Sequence, residues 1–95
     1  NNTILPYYQP NLGFSYLAMK QYEQALACFE KGLQGKDTNS DIYLYSLLGK
    51  AAVYSEQGKT DQSLRLALHI LNHPATSEWV RRDAFNLLHQ NYRNK

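Results

Sequence analysis

The fold of this chain is decided by residues 12–33, LGFSYLAMKQYEQALACFEKGL. The second part of this stretch has apolar residues at the i, i+3, i+4, i+7, i+11 spacing of an amphipathic helix. These residues are Tyr22, Ala25, Leu26, Phe29 and Leu33. Gly35 follows at the place where a left-handed C-terminal cap would end such a helix. The stretch therefore predicts the end of one helix, a turn and a complete second helix.

Turn residues and prolines divide the chain into five helical stretches, and none of them has the alternating pattern of a β-strand. Proline suits a first helical turn because its missing N–H is not needed there. The predicted bounds are, in order, Pro6 or Pro10 to Met19, Tyr22 to Gly35, Ser40 or Asp41 to Gly58, Thr60 (as cap) to Asn72, and Thr76 or Ser77 to Tyr92.

The second half of the chain repeats the first at an offset of 38 residues. At this offset Tyr54 aligns with Tyr16, and Ser63 aligns with Ala25. Self-similarity at such a period is typical of a solenoid, in which each helix pair must stack on its neighbour to bury its apolar face. The chain is therefore predicted to be an array of helix pairs.

The first unit resembles a tetratricopeptide repeat, whose pattern W-x-x-L-G-x-x-Y, A-x-x-x-F, P is met at five of seven positions. Gln9 replaces the Trp and Asp37 replaces the Pro. The matching residues are Leu12, Gly13, Tyr16, Ala25 and Phe29. The second unit fills the same roles less literally, with Ala51, Tyr54, Gly58 and Ser63. Because small residues at these positions let helices approach closely, we interpret both sets as structural.

The resemblance implies an all-α fold, a right-handed α-solenoid of two helix-turn-helix units plus a terminal helix. We expect one domain over residues 1–95, with repeats at 6–35 and 40–74. Residues 77–93 would form a capping helix or part of a third repeat.

The resemblance also implies a concave groove, lined by the first helix of each repeat, that holds a peptide or a partner's helix. Asn11 matches an asparagine with which similar proteins clamp a peptide's terminal carboxylate, whereas Gly49 departs from it. If Ala84 is the small position of a third such helix, Arg82 would favour an acidic group, although the lysines of that clamp have no counterpart. The groove candidates, chosen by their phase relative to the small positions, are Asn11, Phe14, Tyr45, Ala52, Arg82 and Phe85.

Nothing in the sequence indicates catalysis, a metal site or a cofactor. His69 and His73 have no accompanying ligand motif, and Cys28 lies in an apolar helical pattern that favours a buried spacer. No phosphate-binding loop or nucleophile elbow is present. We therefore predict that the protein is not an enzyme.

A protein or peptide is the expected partner, and exposed repeat ends favour self-association. A net charge of +2 with interspersed signs argues against nucleic acid, and no apolar run is long enough to cross a membrane. Two alternatives are the peptide-sensing portion of a bacterial regulator and RNA recognition by helical repeats. The single cysteine is compatible with a reducing cytoplasm.

Overall fold

The computed structural model describes residues 8–34 and 37–93. Within these two ranges the chain forms five α-helices and no β-strand. The helices are α1 (Tyr8–Ala18), α2 (Tyr22–Leu33), α3 (Asp41–Glu56), α4 (Thr60–Asn72) and α5 (Glu78–Arg93). The prediction of an all-α helical repeat is confirmed.

The helix ends lie close to the predicted signals, but two helix starts differ. The helix α1 begins at Tyr8, so Pro10 lies in its first turn and is not its first residue. Ser40 caps α3, since its Oγ accepts a hydrogen bond from the backbone N–H of Tyr43 over 3.1 Å. The prediction that Thr60 caps α4 is wrong, because the carbonyl of Lys59 already accepts a bond from Ser63 N–H and makes Lys59 the capping residue. Pro6 and Gly35 lie outside the described residues.

The two helix-turn-helix connections have the same backbone turn. Lys20, between α1 and α2, has φ of 63°, and Gly58, between α3 and α4, has φ of 81°. In each turn the next N–H reaches back to a tyrosine carbonyl, from Gln21 to Tyr16 over 2.9 Å and from Lys59 to Tyr54 over 2.8 Å. These bonds satisfy carbonyls at the helix end, as in a Schellman motif. Lys20 and Gly58 are 38 residues apart, which is the offset of the sequence repeat.

The helices stack as two layers. The short connections make α1 and α2, and then α3 and α4, antiparallel neighbours. The helix α2 packs between α1 and α3, and α4 packs between α3 and α5. Contacts also join α1 to α3 and α3 to α5, so these three helices form the second layer.

Most of the buried apolar residues form two clusters, one for each stacking step. The first cluster joins α1, α2 and α3 and contains Leu17, Ala25, Phe29 and Val53. The second joins α3, α4 and α5 and contains Leu44, Leu47, Leu48, Ala51, Ile70, Val80, Ala84 and Leu87. The helix α3 contributes to both clusters, so each unit completes the core of its neighbour, as expected of a solenoid.

Residues assigned to the repeat pattern lie at the helix contacts. Ala25, Phe29, Ala51 and Ser63 are fully buried, and Ser63 Oγ donates a hydrogen bond to the Ala51 carbonyl over 2.7 Å. Gly13 is buried, whereas Leu12, Tyr16 and Tyr54 are half-buried. Small side chains thus bring α4 against α3, as the pattern predicts.

Candidate functional site

A shallow groove of about 230 Å³ lies along the layer formed by α1, α3 and α5. Its walls are apolar on the α1 and α3 side and polar on the α5 side. The lining residues, which define the α1–α3–α5 groove, are Phe14, Leu48, Ala52, Asp83, Asn86, Leu87 and Gln90.

Three aromatic rings, one from each of these helices, form a continuous row beside the groove. Phe14 stacks on Tyr45 with ring centroids 4.9 Å apart and an interplanar angle of 27°. Trp79 meets the same tyrosine edge to face, with centroids 4.9 Å apart at 66°. Trp79 is 42% exposed, so the end of the row on α5 faces solvent. We call Phe14, Tyr45 and Trp79 the aromatic row.

The core fixes the α1 end of the row. Phe14 packs edge to face on Phe29, with centroids 5.0 Å apart at 71°. Phe29 is fully buried between Gly13 on α1 and Gly49 on α3. Because Phe29 has no room to move, it sets the position of the Phe14 ring.

The hydroxyl of Tyr45 is held at the rim of the groove in its neutral form. It donates a hydrogen bond to Asn11 Oδ1 over 3.3 Å. Burial raises the pKa of Tyr45 above its ordinary value, and the nearby Asp83 carboxylate raises this pKa further. Tyr45 therefore remains a protonated donor at neutral pH.

Four of the six predicted groove residues lie together. Asn11 and Tyr45 are hydrogen-bonded, Phe14 stacks on Tyr45, and Ala52 lines the same groove as Phe14. The other two, Arg82 and Phe85, line a separate depression between α4 and α5. Its remaining lining residues are Leu71, Glu78 and Arg81.

The register of α5 explains why Arg82 and Phe85 lie elsewhere. Asn91 on α5 donates a hydrogen bond from Nδ2 to Ser63 Oγ over 2.8 Å. The residues that lie 38 positions earlier, Val53 and Ala25, share the first core cluster. This offset makes Ala84 the counterpart of Ser46, and not of Ala51, which Ala84 would have to match to be the small position of a third such helix. The assumed phase of α5 is thus shifted by five residues.

The sequence reasoning missed the residues that α5 contributes to the groove and the aromatic row. These are Trp79, Asp83, Asn86, Leu87 and Gln90. The signal that finds three of them is the 38-residue offset applied once more. At this offset Asp83 corresponds to Tyr45, Asn86 to Leu48 and Gln90 to Ala52.

The depression between α4 and α5 contains an arginine with a structural role. Arg81 Nη1 donates to the Leu71 carbonyl over 2.6 Å, and Nη2 donates to the Thr76 carbonyl over 3.4 Å. Thr76 Oγ1 donates to the Ile70 carbonyl over 2.7 Å. These bonds satisfy carbonyls at the C-terminal end of α4 and the turn that follows.

The cysteine and the histidines lie outside the groove. Cys28 is buried on α2, and desolvation raises the pKa of its thiol more than Lys31 lowers it. The His69 and His73 rings meet edge to face at 6.0 Å at the end of α4. Within residues 8–34 and 37–93, no group of three His, Cys, Asp or Glu side chains is arranged to hold a metal ion, and no helix is long and apolar enough to cross a membrane.

Comparison with known proteins identifies the family. Residues 3–73 match the family model described as the tetratricopeptide repeat. No curated protein and no solved structure matches the chain. The family match covers more than half of the chain and includes α1 to α4. The chain therefore belongs to the tetratricopeptide repeat family, a family of protein-interaction modules.

Proposed function

We propose that this domain is a non-catalytic module that binds an extended peptide segment of a partner protein in the α1–α3–α5 groove. The observation that carries the proposal is the aromatic row. Three helices each contribute one ring to a continuous surface that remains open to solvent at Trp79. Aromatic side chains of this kind provide much of the binding energy at protein interfaces.

The packing of the helices supports this choice of face. Both α2 and α4 have a helix on either side, because each packs between two members of the other layer. The second helix of each pair thus uses its apolar surface within the array. The layer of α1, α3 and α5 carries the aromatic row beside an open groove.

The polar groups of the groove suit the backbone of an extended peptide. Asn86 and Gln90 each offer an amide donor and acceptor on the α5 side. Asn11 Oδ1 accepts from Tyr45, and Asn11 Nδ2 donates to no residue in the described part of the chain. Two repeats give a short groove, so we expect an affinity of about micromolar from this segment alone.

A reducing compartment such as the cytoplasm fits this proposal, since the single cysteine, Cys28, is buried. A nucleic-acid ligand fits less well. The ionised side chain that lines the groove is the carboxylate of Asp83, which would repel a phosphate backbone.

An NMR titration tests the proposal. The probe is a pool of nine-residue peptides of mixed sequence, acetylated and amidated so that their termini carry no charge. We expect shifts at Phe14, Tyr45 and the Trp79 indole. Ala52→Arg should block the groove and abolish these shifts, whereas the control Leu68→Arg, on the exposed face of α4, should leave them unchanged. Shifts confined to α2 and α4 would refute the proposal.

A further inference from the structure

We propose that the α1–α3–α5 groove selects peptide segments that carry an arginine or a lysine. The cationic head of this side chain would lie against Trp79 and Tyr45, beside the carboxylate of Asp83. This inference rests on the proposed function and names the chemistry of its ligand.

The first step is the arrangement of Trp79 and Asp83 on α5. They are four residues apart on one helix, so their side chains project from the same face, one turn from each other. Both are exposed, and Asp83 lines the groove that the aromatic row borders. A ligand side chain that reaches the indole therefore also reaches the carboxylate.

The second step is the charge of the groove. Of the described side chains that line it, Asp83 alone is ionised. Salt bridges in the described ranges join Lys20 to Glu56 and Lys50 to Glu30, and none involves Asp83. The neighbouring Arg82 lines the depression on the other side of α5. The groove thus presents a negative charge that a basic ligand would neutralise.

The third step is the chemistry of the rings. The face of an indole attracts a cation within about 6 Å of its centroid, and tyrosine does so less strongly. Phe14 stacks on Tyr45, and Trp79 packs on the same ring at a steep angle. The angle leaves a corner between the two rings rather than one flat stack. Such a corner contacts a flat guanidinium or the methylene stem of a lysine on two sides.

The same features act against an acidic ligand. A glutamate or a terminal carboxylate placed at the corner would meet Asp83 with like charge. The expectation that Arg82 attracts an acidic group does not apply to this groove, because Arg82 does not line it. The sequence predicts a preference for an acidic ligand group, whereas the charge of this groove favours a basic one.

Four peptide pools test this inference. Each contains acetylated and amidated nine-residue peptides with uncharged residues at random positions and Arg, Lys, Gln or Glu fixed at the centre. Trp79 is the single tryptophan of the chain, so its fluorescence reports directly on the site. We expect the Arg and Lys pools to bind about tenfold more tightly than the Gln pool, and the Glu pool to bind most weakly. The advantage should shrink as NaCl is raised.

Two matched variants on α5 assign the effect to a residue. Asp83→Asn keeps the shape of the side chain and removes its charge, and should reduce the Arg-to-Gln affinity ratio to the smaller preference that the Trp79 and Tyr45 rings provide. Glu78→Gln makes the same charge change in the other depression and should leave the ratio unchanged. Circular dichroism and melting of both variants verify that the helices are intact.

Each remaining outcome overturns a stated part of the inference. Equal binding of the Arg, Gln and Glu pools would overturn the cation preference and leave the peptide-binding proposal in place. A preference for Arg that is undiminished in Asp83→Asn would overturn the role of Asp83. If no pool perturbs Trp79 or the groove resonances, both the inference and the proposed function fail.

Discussion

The ring of Phe29 occupies the space where a side chain on Gly49 would begin. A Cβ placed on Gly49 would overlap the ring, and a Cβ on Gly13 would stand 2.6 Å from Phe29 Cε1. The ring therefore lies against the backbones of α1 and α3 at once. This contact joins the first helix pair to the second and supports the Phe14 end of the aromatic row.

Gly49→Ala should destabilise the protein by about 1–3 kcal/mol through overpacking against Phe29. This loss should exceed the gain of about 0.5–1 kcal/mol that alanine gives in a helix interior. Gly13→Leu should be destabilising for the same reason. Urea denaturation measures both changes.

A double-mutant cycle with Phe29→Leu verifies the cause. The smaller side chain should relieve part of the clash, so that the combined loss with Gly49→Ala is smaller than the sum of the single losses. Strict additivity would show that Phe29 is not what Gly49 accommodates.

The two helix-turn-helix turns provide a matched pair of substitutions. Lys20 holds a positive φ that glycine adopts without strain, so Lys20→Gly should stabilise the protein by about 1 kcal/mol. Gly58→Ala should destabilise it by a similar amount. A Cβ on Gly58 meets nothing within 4 Å, so this loss reflects backbone strain alone. Thermal melting measures both effects, and effects of the same sign would contradict the assignment.

The sequence predicted the contacts inside each unit better than those between units. Gly13 and Phe29 belong to one repeat pattern, so the sequence places both at the contacts within one helix pair. Gly49, in contrast, is recognised from the sequence only as a position where the clamp asparagine is absent. Its structural role is not evident there, because its contact with Phe29 joins the second unit to the first. A period locates equivalent positions, whereas contacts between units depend on which side chains fill the space.

The groove shows the same limit at α5. In the sequence, Ala84 is a candidate for the small position of a third such helix. The register is set instead by Asn91, a buried polar residue at the position of Val53. Hydrophobic periodicity does not identify a polar residue as part of a core. Trp79 and Asp83 were therefore missed, although the repeat offset extended by one unit reaches Asp83.

Asn91 and Ser63 give a prediction about this interface. Asn91 Nδ2 donates to Ser63 Oγ, and Asn91 Oδ1 accepts from Ser55 Oγ, each over 2.8 Å. Asn91→Val should lower the free energy of unfolding by about 1–3 kcal/mol, because the hydroxyls of Ser55 and Ser63 lose their hydrogen bonds to Asn91. Adding Ser63→Ala should recover part of this loss. The double variant would place alanine and valine together, as Ala25 and Val53 are placed at the equivalent positions of α2 and α3. Denaturant unfolding of the three variants measures the coupling, and no recovery in the double variant would argue against an equivalent register.

The raised pKa of Tyr45 predicts a loss of stability at high pH. The ordinary tyrosine pKa is about 10, and the folded protein holds the Tyr45 proton more tightly than the unfolded chain. Its contribution to stability is therefore complete below about pH 10 and is lost as the pH rises through the folded pKa. Tyr45→Phe should show a smaller decline in unfolding free energy between about pH 8 and about pH 11 than the parent protein.

Asp83→Asn provides the control for the cause of that shift. Removing the carboxylate should lower the pKa of Tyr45 towards its ordinary value, while the contribution of burial remains. Ultraviolet difference spectra, with the Tyr45→Phe spectrum subtracted, isolate this hydroxyl from the other tyrosines. An unchanged titration in Asp83→Asn would contradict the electrostatic contact between α3 and α5.

Removal of residues 74–95 should expose the second core cluster. Val80, Ala84 and Leu87 on α5 pack in this cluster with Leu44 and Ile70, among others. Without α5 the buried face of α3 and α4 would meet water, and an array of two units has no other helix to cover it. We expect non-cooperative melting or self-association, measured by calorimetry and analytical ultracentrifugation. The side chain of Phe85 on α5 is 59% exposed, so the control Phe85→Ser should keep the cooperative transition of the full chain. A truncated chain that stays monomeric and melts at the same temperature would show that α5 does not complete the core.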